Sequence, residues 1–167
     1  MPATYEPISS TTLGSAAATI TMSSIPSTYT DLRIVLNGIT LTSAGTYVSF
    51  RINGDTGTNY SYTKIYGTGA SALSSRGTST ATLYLNDADA SGANPYLIEV
   101  DIFSYAGSTN KTLLASSSLD RNGGGLTDRT VGLWRNTAAI NSITFVSIAG
   151  NNFQSGTTAT LYGIKAA

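Results

Sequence analysis

GLWRNTAAINSITFVSIAGNNFQSGTTATLYGIKAA, residues Gly132–Ala167, decides the fold class. Ser142–Ala149 (SITFVSIA) and Thr157–Lys165 (TTATLYGIK) are dense in β-branched and aromatic residues. Such side chains suit a pleated, half-buried surface. Between them lies the polar, glycine-bounded run Gly150–Gly156 (GNNFQSG). Two β-rich runs around a loop of this kind predict an antiparallel hairpin. In the second run, alternation puts Thr158, Thr160, Tyr162 and Ile164 on one face, and Ala159, Leu161 and Gly163 on the other. This last strand is expected to pair deep in a sheet.

The same pattern recurs upstream. In Asp31–Asn37, Leu32, Ile34 and Leu36 share a face opposite Arg33 and Val35. In Thr46–Asn53, Val48, Phe50 and Ile52 oppose Tyr47, Ser49 and Arg51. Asn53-Gly54 follows and predicts a hairpin turn into Tyr60–Tyr66. Thr80–Asn86 is expected as a strand with Ala81, Leu83 and Leu85 inward. Tyr96–Phe103 turns Ile98, Val100 and Ile102 to the core and Glu99 and Asp101 away. Lys111–Leu119 and Thr130–Asn136 complete the set. Residues 67–79, Asp87–Pro95 and Arg121–Thr127 read as loops, and Ala138-Ala139 as one helical turn at most.

No window carries a sustained helical period. Short strands separated by Gly- and Ser-rich turns predict an all-β fold, an antiparallel β-sandwich of the jelly-roll type. Its domain is expected over residues 18–167. Residues 1–17 are expected as an extended N-terminal arm, because Pro2 and Pro7 interrupt them and large apolar groups are few. Tyr5, Ile8 and Leu13 are the arm's candidate contacts with a neighbouring subunit.

Composition narrows the function. The 167 residues fit one domain, with nine basic and nine acidic side chains and only 11% charged residues. A field this weak argues against nucleic-acid binding and leaves little charge to desolvate at a subunit contact. No Cys and no His are present. The commonest general base, zinc ligand and thiolate nucleophile are therefore missing together. No apolar run is long enough to span a membrane as a helix, and the N-terminus does not read as a signal peptide. No cofactor is expected.

Six groups of residues could carry chemistry or contacts. Asn86-Asp87-Ala88-Asp89 offers oxygen ligands for calcium, although Asx residues also simply make turns. Glu99 and Asp101 are same-face carboxylates, the raw material of glycosidase chemistry, but neighbours on one strand face lie only ~6.5–7 Å apart. Tyr60, Tyr62 and Tyr66 form a stripe that suits a sugar platform, a subunit interface or ordinary sheet packing. Trp134 suits core or interface. Gly123-Gly124-Gly125 lacks the strand and helix context of a phosphate loop. Asn59 and Asn110 match the glycosylation acceptor pattern, which carries no weight without a secretory leader.

Several runs resemble stretches that recur in tailed-bacteriophage virion proteins. These are Ile25–Ile34 (IPSTYTDLRI), Phe50–Ser61 (FRINGDTGTNYS), Gly132-Leu133-Trp134 with Ala138–Ile143 (AAINSI), and Thr158–Ile164 (TATLYGI). The resemblance covers most of the chain beyond its N-terminal segment. It implies a jelly-roll subunit of a phage particle and carries no catalytic residue across. The expectation is a non-enzymatic virion protein, foremost a capsid decoration (cement) protein contacting the major capsid protein or other virion subunits. A tail-associated carbohydrate- or receptor-binding module is the alternative. A homo-oligomer is expected, with a trimer favoured, and no partnership with nucleic acid or membrane.

Overall fold

The computed structural model describes residues 4–43, 47–85 and 94–165. Eight strands form one antiparallel sheet: β1 (Tyr5–Thr12), β3 (Asp31–Ile39), β5 (Tyr60–Gly67), β6 (Ala72–Thr80), β8 (Tyr96–Ile102), β9 (Lys111–Asp120), β10 (Gly125–Trp134) and β12 (Thr158–Ile164). Their order is β1-β12-β3-β8-β9-β10-β5-β6. Four more form the second sheet: β2 (Thr19–Met22), β4 (Val48–Ile52), β7 (Leu83–Tyr84) and β11 (Ile143–Ser147), in the order β2-β11-β4-β7. The helical content of the described residues is one 3-10 turn, Ile148–Gly150. Ala138-Ala139 lies in irregular chain.

This is the expected sandwich, and its strand order is that of a jelly roll. The chain alternates between sheets at β1/β2, β3/β4, β7/β8 and β11/β12. Two hairpins are added, β5–β6 and β9–β10. They pair with each other through β10 and β5 and extend the larger sheet beyond β8.

That alternation overturns both expected hairpins. β11 pairs with β2 and β4, whereas β12 pairs with β1 and β3. The loop between them crosses from one sheet to the other, a span of about 10 Å. Phe153, wholly buried, plugs the end of the sandwich on the way and bridges to Ala17 and Leu41. The Asn53-Gly54 turn likewise leads from β4 in one sheet to β5 in the other. Both residues take the left-handed conformation, φ 52° and 67°. Alternation dictates which face a strand buries but says nothing of its hydrogen-bonding neighbour.

Between the sheets the predicted faces meet. Leu32, Ile34 and Leu36 of β3 lie beside Ile98, Val100 and Ile102 of β8 and Ala159 and Leu161 of β12. From the smaller sheet Phe50 pairs in register with Phe145, their ring centroids 5.5 Å apart. All are buried.

The N-terminal segment differs from the arm expected over residues 1–17. Tyr5–Thr12 is an edge strand, paired along β12 from Tyr5 opposite Ile164 to Thr12 opposite Thr158. Hydroxyl pairs Ser10–Thr160 and Thr12–Thr158, each 2.9 Å, reinforce the ladder. Pro7 is tolerated because the register shifts between Pro7 and Ser9, and an edge strand can spare a donor. Two further boundaries move. Residues 67–79, expected as a loop, contain most of β6, an edge strand whose Ser, Thr and Gly residues show no apolar alternation. Thr80–Asn86 shrinks to the short β7, with Leu83 and Leu85 buried but Ala81 exposed.

Polar knots pin the sheet ends. The Lys111 ammonium is buried and donates to the carbonyls of Gly107, Thr109 and Thr137 at 2.6, 2.5 and 3.2 Å. Desolvation pushes its pKa down. Nearby, the Trp134 indole donates to Asp55 Oδ2 at 2.7 Å, as does Asn59 at 2.9 Å, while Gly57 N donates to Oδ1. The Trp134 bond is the chief cause that lowers the Asp55 pKa. A carboxyl depressed on folding contributes stability above its unfolded pKa of about 3.9, and loses it as pH falls through the lower folded value. Asp55→Asn should therefore remove part of the acid destabilisation, read as the pH dependence of the melting temperature and of Trp134 fluorescence. An unchanged acid profile would show that the carboxylate contributes nothing.

Candidate functional site: the outer face of the larger sheet

Because side chains alternate, the eight-stranded sheet has one face toward the core and one toward solvent. Register brings the outward residues into rows. One row runs Tyr162 (β12), Arg33 (β3), Asp101 (β8), Leu114 (β9), Val131 (β10), Thr63 (β5). The next runs Ser10, Thr160, Val35, Glu99, Ser116, Arg129, Ile65.

At the β1–β8 end, Arg33 Nη1 donates to both oxygens of Asp101, at 3.1 and 3.2 Å, and Nη2 to Glu99 Oε1. Charge-assisted bonds from a planar fork fix the guanidinium in orientation as well as position. Burial opposes its charge, but the Glu99 bond and the charges of Asp101 and Glu99 outweigh that, and its pKa is raised. Beside it the Tyr5 and Tyr162 rings lie 4.8 Å apart, tilted by 35°. Tyr5 is 44% exposed. Partial burial raises the pKa of its hydroxyl, which stays protonated at neutral pH. The result is an open surface with an aromatic ring, a fixed donor fork and two carboxylates. Such a surface can stack a flat apolar group and hydrogen-bond the polar groups around it.

The sequence-derived candidates separate. Tyr5 belongs to this face. Tyr60 and Trp134, at 0% and 1% exposure, do not reach the surface and are core rather than interface. The Tyr60 hydroxyl accepts from Ile52 N and donates to Asp55 O, and burial pushes its pKa up to about 12. Tyr62 and Tyr66 are half-buried on the same inward face of β5, Tyr62 against Tyr84 with ring centroids 5.5 Å apart. The tyrosine stripe is thus sheet packing, and the outward side chains of β5 include Thr63 and Ile65. Ile8 and Leu13 are half-buried against the core. Glu99 and Asp101 do share a face, but both hold Arg33. Asn86-Asp87-Ala88-Asp89 lies outside the described residues. Among those described, no group of three or more potential metal ligands converges.

Sequence reading missed Arg33 and Tyr162 as members of the site. The signal was available only as an outward position on each strand, because their neighbours come from strands far apart in the chain. A cleft of about 840 Å³ also opens at the loop end of the sheet, between the β5–β6 and β9–β10 turns. Its wall includes Gly67, Gly69 and Gly123–Gly125 among other uncharged residues, with Asp120 its one carboxylate and no cationic side chain. It offers far less chemistry than the outer face.

No family model matches the chain, and neither does any curated protein. Solved structures give weak likenesses. A galectin of Caenorhabditis elegans, LEC-6, is 10% identical with a TM-score of 0.36, over 91% of this chain and 94% of that one. The CBM2 module of the evolved Dit of Lactobacillus casei BL23 phage J-1 is also 10% identical, with a TM-score of 0.19, over 97% of this chain and 76% of that one.

Proposed function

We propose that this chain is a non-enzymatic binding module of a bacteriophage particle that takes a glycan on the outer face of its eight-stranded sheet. The observation that carries the reading is the exposed Tyr5 ring, backed by Tyr162, beside an Arg33 fork held by Glu99 and Asp101. The ring suits the apolar face of a sugar, and the fork and carboxylates suit its hydroxyls. The phage assignment rests on the sequence resemblance alone.

The test is binding to a panel of oligosaccharides and to cell-wall polysaccharide of a susceptible bacterium. Tyr5→Ala should weaken binding about tenfold or more, equivalent to roughly 1.4 kcal/mol, with the melting temperature nearly kept. Arg33→Lys should weaken it as well, since an ammonium keeps the charge but loses the fork. Wild-type protein that binds no member of the panel would end this reading.

The other half of the same face favours a second reading, particle decoration. Val131 and Ile65 stand exposed at diagonal positions beside Leu114. An aliphatic cluster on an open sheet suits a major capsid protein or another virion subunit. Here particles lacking the chain should bind wild-type protein and fail to bind Val131→Lys, while the glycan reading leaves that variant unaffected.

A further inference from the structure

We propose that two copies of this chain associate about a two-fold axis by antiparallel pairing of their β6 strands, with Ser75 of each facing Ser75 of the other. The inference stands apart from the glycan reading, since it uses the sheet's edge rather than the Tyr5–Arg33 end of its face.

Exposed sheet edges are templates for pairing, and folded proteins normally guard them. Three of the four edges here are guarded or short. β1 carries Pro7 and a register shift, and its Glu6 is tied to Lys165 at 3.0 Å. β2 spans only Thr19–Met22, and β7 only Leu83–Tyr84. β6 is longer, and its one irregularity, a register shift against β5 between Gly77 and Thr80 where Ser79 takes φ 53°, leaves Ala72–Gly77 as a regular, open edge. It runs from Ala72 to Thr80 without proline, carries Arg76 as its single charge, and pairs only with β5 among the described strands. Its side chains are small and mostly exposed, with Leu73 47% exposed.

The side chains select the partner and the register. A continuous sheet requires facing residues to lie on the same face, so odd positions meet odd and even meet even. Centring on Arg76 would set two arginines against each other, which is destabilising. Centring on Ser75 places Leu73 opposite Gly77 of the second copy, and Ser74 opposite its Arg76. Gly77 has no side chain, and the Tyr62 ring fills the space above it, so that an added Cβ would stand 2.4 Å from Tyr62 Cε1. Leu73 therefore lands on a flat aromatic surface rather than against another side chain. Ser74 hydroxyl and Arg76 guanidinium are a compatible pair. The strand is thus complementary to itself, in a protein whose net charge of zero sets no long-range repulsion between copies.

The experiment exploits the absence of cysteine. Sedimentation velocity from low micromolar to millimolar concentration should show wild-type protein passing from 17.3 kDa to twice that mass. Ser75→Cys should give a disulfide-linked dimer under mild oxidation about tenfold or more faster than Thr63→Cys, since only Ser75 faces its own copy within disulfide reach. Leu73→Lys should weaken dimerisation about tenfold or more. Its melting temperature measured on dilute monomer separates this effect from misfolding. A monomer at every concentration, a trimer, or Ser75→Cys that crosslinks no faster than Thr63→Cys overturns the proposal.

Discussion

Phe50→Ala is expected to cost about 3–5 kcal/mol of folding stability. Phe50 is fully buried at the centre of the smaller sheet and packs in register against Phe145, the rings tilted by 49°, where β4 and β11 pair. Truncation removes the transfer free energy of the ring and leaves a cavity. The walls of that cavity are two sheets fixed by their own ladders, so it closes poorly. For a chain of this size each kcal/mol moves the melting temperature by roughly 2–4 °C, so the midpoint should fall by about 6–20 °C. Chemical denaturation with an unchanged m-value gives the cleanest measure. A change below about 0.5 kcal/mol would place Phe50 outside the core and its strand out of register.

Lys111→Met should be nearly as damaging, at about 3 kcal/mol or more. The substitution keeps volume and removes only the ammonium. That ammonium is the shared donor for the carbonyls of Gly107, Thr109 and Thr137, two of them in the β8–β9 loop and one in the β10–β11 connection. Without it three carbonyls converge with no donor between them, and like dipoles repel. The loss should be local before it is global. Amide exchange in residues 103–110 should quicken more than in the core strands β3 and β8. If the melting temperature and the exchange of that loop both stayed put, the ammonium would not be holding the two connections together.

Lys111 also marks the limit of what periodicity could tell. The faces of β3, β4, β8 and β12 were legible because an apolar residue recurs at every second position on the side that each strand buries. At Lys111 and Lys64, alternation places a lysine inward, and both are buried. Composition alone would turn them outward. The same ambiguity hid the true role of Tyr60, whose strand carries aromatic residues on one face and Ile65 on the other. β6 was illegible because edge pairing needs backbone groups and no apolar side chain. Of the candidate site, the shared face of Glu99 and Asp101 was readable from their spacing. Arg33 as their partner was not, since β3 and β8 are joined only by the completed sandwich.

The pairing of the first strand with the last governs how the chain must assemble. Ser10 and Thr160 touch across 150 residues of sequence, and Thr12 and Thr158 across 146. β3 likewise sits between β12 and β8. Among the described strands, only the β5–β6 and β8–β9–β10 ladders join strands adjacent in sequence. These local hairpins can form early, but each of the other ladders must first close a long loop against its entropy. Such a topology belongs to the slow, millisecond-to-second class of folders. On the ribosome, β1 and β3 emerge well before β12 and stay without their common neighbour until β12 has cleared the exit tunnel. Throughout synthesis the edges that flank β12 are open to any passing strand. β12, late in the order of strands, is the one that turns an exposed, association-prone intermediate into a closed sandwich.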